Sequence, residues 1–405
     1  MRFGIFILVI AYVLSQFYRA FLAVLSPFLG AELGAMPEDL ALSSGLWFMT
    51  FAVMQVPVGA ALDAIGPRRT AAWLLGVAGG GGALMFALAQ APWHLHVAMI
   101  LIGIGCSPVL MASYYIFGRT YSAAVFATLA GAIIGFGTLG NLAGAWPLAF
   151  AAETLGWRQT VGALAGVTLL VALALARFVQ DPPPVTAAAG GKGSLLDLLK
   201  IPALWLILPL MAVNYVPAAA MRGLWAGPFL GDVYGADARG IGLVTLAMAL
   251  AMVAGSFAYG PLDRVFGTRK WVVLIGNLLG GACMMALWAW PTVGIWPATA
   301  LLAGIGLFGS SFPMIMAHGR SFFPPHLLGR GVTLMNLFGI GGVGVLQTVS
   351  GRVFRATPAT TPEAPYQAIF LMFGVLLRVR WCSSTGAPAP SPRSRPSPRR
   401  RVPSR

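Results

Sequence analysis

"PVGAALDAIGPRRTAAWLLG", residues 57–76, and "AYGPLDRVFGTRKWVVLIG", residues 258–276, are two versions of one pattern. Each leaves an apolar stretch through a glycine and an aspartate, turns at a second glycine followed by two basic residues, and enters another apolar stretch. Asp63 and Asp263 are 200 positions apart, and Arg68 and Arg269 are 201 apart. A second pair agrees: "SPFLGAELGA" at 26–35 returns as "GPFLGDVYGA" at 227–236. A near-constant offset across half of a chain marks an internal duplication.

What is duplicated is a set of membrane helices. The 405 residues are 58% hydrophobic and only 9% charged, with a mean hydropathy of +0.82. A soluble domain carries roughly 25% charged residues. In lipid the backbone must satisfy its own hydrogen bonds, so only helices or closed barrels cross. The apolar runs here are long and unbroken, which selects helices. The composition therefore gives an all-α polytopic membrane protein, its partner the lipid bilayer. Spans are expected at about 4–30, 42–62, 71–91, 95–117, 124–150, 160–180, 202–230, 240–262, 271–290, 294–317, 331–353 and from about 366. The first is too long and too polar in its middle for a cleaved signal peptide.

"QDPPPVTAAAGGKGSLLDLLK", residues 180–200, has linker composition. The chain then divides into an N-terminal six-helix half at 1–180, a cytoplasmic linker at 181–201, a C-terminal half at 202–377 and a basic tail at 378–405. One set of loops carries Arg68, Arg69, Arg119, Lys192, Lys200, Arg264, Arg269, Lys270 and Arg330, and the other set is mostly acidic. The excess of Lys and Arg marks the cytoplasmic side, so the N terminus is expected inside, in a bacterial inner membrane. The formal charge of +15 comes largely from the tail: eight arginines lie after Leu377, leaving 18 basic against 11 acidic residues before it. No nucleic-acid partner is implied.

Gly59, Asp63, Gly66, Arg68 and Arg69, between the second and third spans, resemble the signature loop of the major facilitator superfamily. The degenerate copy with Asp263, Gly267, Arg269 and Lys270 falls between the eighth and ninth, where that family has its second copy. The resemblance implies two six-helix halves in parallel repeat, alternating access, and a gating latch in these loops. The residues alone support close helix contact at the glycines and an aspartate able to accept from helix-end amides or an arginine. Topology alone accounts for much of the basic pair.

Ionisable residues inside the bilayer are functional candidates because they are costly. Arg19 lies near the middle of the first span and Arg222 just past the middle of the seventh, with acids only at span ends (Asp63, Glu153, Asp181, Asp263). The resemblance adds that the first, fourth, seventh and tenth helices line a central cavity. Two guanidiniums converging there would grip a carboxylate or phosphate. The arrangement is similar to the glycerol-3-phosphate/phosphate antiporters of that superfamily, which carry an arginine on each of these two helices. Gln16, Tyr18, Tyr114, Tyr115, Asn214 and Trp225 are candidate substrate contacts, and interhelical packing is the plainer reading of each. His318 is the one titratable candidate for a proton relay.

The three cysteines are scattered, and no metal spacing, phosphate-binding loop or catalytic triad is present, so neither an enzyme nor a cofactor is implied. From Arg378 the twelfth span gives way to Arg/Pro/Ser sequence, as a frameshift would produce, and the helix is expected to stop near 380. The function expected is secondary transport of a small organic anion, by uptake or exchange, by a monomer. Alternatives are proton-coupled export of amphipathic drugs, which the lack of a membrane carboxylate disfavours, and a non-transporting sensor or assembly factor.

Overall fold

A computed structural model describes residues 2–182, 200–266, 269–320, 322–323 and 328–384. Most of the linker, Gly267 and the tail beyond Ser384 lie outside the described residues, as do the side chains of Asp263, Arg269 and Lys270.

Among the described residues twelve helical stretches follow one another, at the positions expected from hydropathy. In the first half they are α1 (Arg2–Phe17 with Leu22–Leu33), α2 (Pro37–Val53 with Gln55–Ala64), α3 (Pro67–Ala87), α4 (Pro92–Thr120), α5 (Ala123–Ala143 with Trp146–Leu155) and α6 (Trp157–Phe178). In the second half α7 runs from Pro202 to Tyr234 in four segments. It is followed by α8 (Ala238–Phe266), α9 (Arg269–Ala289), α10 (Ile295–Phe308 with Phe312–Arg320), α11 (Leu328–Ala356) and α12 (Ala364–Ser384). Eight spans are individually long and apolar enough to cross a bilayer, and three bent pairs bring the total to 11. Leu170, Leu173 and Phe257 are exposed on the outside, as a lipid-facing surface requires.

The duplication is visible in the backbone. Gly34 and Gly235, 201 positions apart, both end a helix with φ of 64°. Each donates its N–H to the matching glycine carbonyl four residues back, Gly30 or Gly231. Only glycine takes this left-handed cap without strain.

The face holding the N terminus is called here the N-terminal face. The halves meet mainly at the opposite, far face, through glycines. Gly223 of α7 sits against the Arg19 carbonyl, where a Cβ would lie 2.9 Å away, and a Cβ on Gly227 would run into the Ala23 carbonyl of α1. Gly351 of α11 meets Ala41 of α2, and Gly242 of α8 meets Trp146 and Ala149 of α5. Small residues let helix backbones approach in lipid, where packing replaces the hydrophobic effect as the force between helices. Two ion pairs flank this seal, Arg355 with Glu38 at 3.2 Å and Arg239 with Glu153. Their arginines are more than half exposed, so each pair contributes at most about 1 kcal/mol, and the glycine packing dominates.

The twelfth helix differs from expectation. Its apolar part, Ala364–Arg378, is short, but helical backbone continues through the composition break to Ser384. Val379, Arg380 and Trp381 carry no glycine or proline to stop propagation, and the first helix breakers, Gly386 and Pro388, come later.

Candidate functional site

The two intramembrane arginines stand on irregular backbone. Arg19 is not within a helix, as its position in the apolar run suggested. It occupies a turn between the segments of α1, which are bent by 52°. Ala20 donates to the Phe17 carbonyl at 2.9 Å, tightening the chain there. Arg222 lies in a π-helical turn, Met221–Trp225. Broken or π-helical turns recur at functional sites because they redirect side chains and free backbone groups.

The turns are in direct contact, since the Arg19 carbonyl packs on Gly223, the neighbour of Arg222. The two guanidiniums are close enough to interact electrostatically. Arg222 is only 3% exposed; it donates from Nη2 to Oδ1 of Asn141 on α5 at 3.0 Å and lies within reach of the Tyr215 hydroxyl. Arg19 lies over the rings of Phe51 and Trp47 of α2, at 4.8 and 5.3 Å from their centroids. Cation–π contact contributes about 0.5–2 kcal/mol, less than the burial costs. No carboxylate pairs with either arginine among the described residues, and the Nε of each is buried without a hydrogen-bond partner.

The other predicted contacts divide. Gln16 stays near the arginines, donating to the Tyr12 hydroxyl at 2.8 Å, and Tyr12 in turn feels the charge of Arg19. Tyr114 is half-buried, edge-on to Phe126. Tyr18 is turned away: fully buried, its hydroxyl meets Thr168 of α6 at 2.9 Å. Trp225 is likewise buried, its indole donating to Ser350 of α11 at 2.9 Å in an aromatic cluster with Phe354 and Tyr366. Trp225 was placed by one-turn spacing from Arg222, a face the π-turn does not preserve, and Tyr18 by its place beside Arg19.

Asn214 belongs to a network inside the second half, donating to Asn277 at 2.5 Å and Ser311 at 2.9 Å. Ser311→Ala leaves Asn214 short of a partner in a site with little water. It is expected to cost about 1 kcal/mol, read as a fall of a few degrees in apparent Tm in detergent with ligand affinity unchanged. His318 is half-buried on α10, edge-on to Phe322 and two turns beyond Ser311.

Tyr115 joins the signature loop instead. Its hydroxyl donates to Asp63 at 2.9 Å, and Arg119 stacks on its ring at 4.0 Å while approaching Asp63 at 3.5 Å. The acid that takes the amide at the N terminus of α3 is Asp181, not Asp63. It accepts from the Arg68 backbone N–H at 2.7 Å, with the Arg68 side chain at 3.7 Å. Gly66, at φ of 97°, starts this helix, and Arg69 is exposed. Gly59 faces Met111 of α4. These contacts tie elements of the first half to one another and, through Asp181, to the start of the linker.

Asn141, Trp47 and Tyr12 neighbour the arginines and were not singled out from the sequence. Asn141 sits in "GTLGNLAGAWP", whose glycines carry a packing signal; Gly140 and Gly144 do pack on α1, with Asn141 between them. It is the one amide side chain in that span, which was the available signal.

A twelve-helix membrane protein in two repeated halves, with paired arginines where the halves meet, is the architecture of a secondary transporter. The family model of the Major Facilitator Superfamily matches residues 8–226 and again 214–379, and the chain belongs to that superfamily. Among solved structures it is similar to a bacterial homologue of the human lysosomal transporter Spinster in an inward-facing, occupied conformation (17% identity, TM-score 0.71, 95% of this chain and 96% of that one). It is also similar to a D-xylose–proton symporter (13%, TM-score 0.77, 95% and 97%) and to a nucleoside transporter (13%, TM-score 0.76, 95% and 99%). At these identities the likeness is one of fold. No curated protein matches the sequence.

Proposed function

We propose that the protein is a secondary active transporter of a small organic anion, of the carboxylate or phosphate type, working by alternating access in uptake or exchange. The observation that carries this reading is the pair Arg19 and Arg222, one from each half, with no carboxylate between them among the described residues. A scaffold or sensor has no use for two such cations, and their cost is recovered when an anion binds. Proton-driven export of amphipathic drugs would call for a membrane carboxylate, which the spans lack except at their ends.

With the Lys- and Arg-rich N-terminal face in the cytoplasm of a bacterium, the conformation described is sealed outward. Residues 1–180 and 202–377 are then the moving halves and 181–201 the linker. Asp63 with Arg119, Arg68 with Asp181, and the second-copy residues Asp263, Gly267, Arg269 and Lys270 form the latch that rearranges as the halves rock. We assign His318 the only candidate role in proton coupling, and the working unit is the monomer.

A thermal-shift screen of carboxylates, phosphates, nitrate and sugar acids tests the reading. An anion at 100 times its Kd should stabilise the protein by about 2.7 kcal/mol. Stabilisation by neutral or cationic compounds alone would contradict it.

A further inference from the structure

The hydrogen bond from Arg222 to Asn141 joins the two halves: Arg222 stands on the π-turn of α7, and Asn141 on α5. Tyr215, the other group within reach of the guanidinium, lies on α7 itself, so its contact stays within one half. Two further polar contacts cross between the halves, Arg355 with Glu38 and Arg239 with Glu153, but both stand at the far face with exposed arginines. Of these three, the Arg222 bond alone is buried at the arginine site. Asn141 is fixed to its own half by its neighbours. Gly140 packs on the Val13 carbonyl of α1, and Gly137, one turn before Asn141, faces the Tyr12 ring and Gln16. The bond therefore depends on how α7 of the second half is set against α5 of the first.

The pairing is chemically incomplete. Nε and Nη2 form one edge of a guanidinium, the edge a carboxylate or phosphate takes with two parallel bonds. Here Nη2 holds a neutral amide oxygen, and Nε is buried with no hydrogen-bond partner. The amide does not neutralise the cation, and Arg19 is near enough to repel it. One bond to a neutral acceptor is weaker than a bidentate ion pair, so an anion entering the site out-competes the amide. We propose that Asn141 is a displaceable partner of Arg222: it occupies the guanidinium in the empty site, and the charged group of the substrate takes the Nη2–Nε edge from it. Binding then exchanges a direct bond between the halves for contacts through the anion. A ligand moves a conformational equilibrium only through differential contacts of this kind. An amide suits the role where an acid would not, since a carboxylate at 141 would pair with Arg222 permanently. The inference rests on the anion reading above and adds to it the group that the anion displaces.

The test is the affinity of the full-length protein in nanodiscs for succinate, gluconate, inorganic phosphate and glycerol 3-phosphate, the tightest-bound of the four in the wild type serving as probe. Asn141→Leu keeps the size of the side chain and removes the acceptor. It should bind the probe about tenfold tighter, because the anion no longer has to break a hydrogen bond to a charged group. Asn141→Ala, which cannot overpack the site, should shift in the same direction. Asn141→Asp pairs the buried cation, so it should fold at least as well as the wild type and bind the probe about tenfold weaker or more. If Asn141 were an ordinary substrate contact, the leucine and alanine variants would bind more weakly; if it only supported the fold, they would bind as the wild type does. Either result overturns the displacement and leaves the anion reading intact, as does wild-type affinity in Asn141→Asp. Failure of the wild type to bind any of the four overturns both.

Discussion

Arg222→Gln is expected to lower anion transport about a hundredfold or more while leaving the protein as stable as before, or more so. The first part follows from the lost contacts. A charge-assisted hydrogen bond contributes about 1.5–3 kcal/mol, and a bidentate pair has two. The second part follows from burial. The guanidinium is 3% exposed, is not paired with an acid among the described residues, and has only neutral partners, Asn141 and the Tyr215 hydroxyl within its reach. An uncompensated cation at such depth is a net cost, so removing it relieves the fold. Arg19→Gln should lose transport to a similar degree without the gain in stability, because Arg19 is less buried and its rings, Trp47 and Phe51, lose their cation. Lysine at either position keeps the charge but not the planar fork, and should recover only part of the activity. Counterflow in proteoliposomes and apparent Tm, measured on the same preparations, separate these effects. Normal transport by both glutamine variants would remove the arginine pair from the mechanism.

Gly227→Val should hold the protein open at the far face. The new side chain would meet the Ala23 carbonyl and the Ser26 hydroxyl of α1. Backbone cannot step aside as a long side chain can, so overpacking of about 1–3 kcal/mol falls on the sealed conformation alone. That shifts a two-state equilibrium by roughly five- to 150-fold. Spin labels at Glu32 and Asp232, in a background lacking Cys106, Cys283 and Cys382, should report a longer far-face distance, with transport near background. Gly135→Val is the control: that glycine is exposed and has nothing within 4 Å of a Cβ, so the change should be silent. An unchanged distance distribution in Gly227→Val would show that the α1–α7 contact is not the seal.

The parts of this molecule legible in its sequence are those written in long-range averages. Hydropathy over windows of about 20 residues placed eleven spans and the start of a shorter twelfth helix, and a repeated loop gave the two halves. The site was only partly legible. Arg19 and Arg222 stood out because charge in an apolar run needs no knowledge of direction. Their neighbours did need it. Trp225 was assigned by one-turn spacing from Arg222 and Tyr18 as the neighbour of Arg19, but the turn at residues 18–20 and the π-turn at 221–225 rotate the faces, and both side chains turn into the helix bundles. Those irregularities arise where one half presses on the other, a contact between residues some 200 positions apart that no local pattern encodes.

The central claim is most directly tested by counterflow: proteoliposomes preloaded with an unlabelled carboxylate or phosphate ester, and uptake of the labelled anion from outside. The account predicts saturable uptake that other small anions compete for and that neither xylose nor a nucleoside affects. Counterflow of a neutral sugar, a nucleoside or an organic cation, with none for any anion, would contradict it.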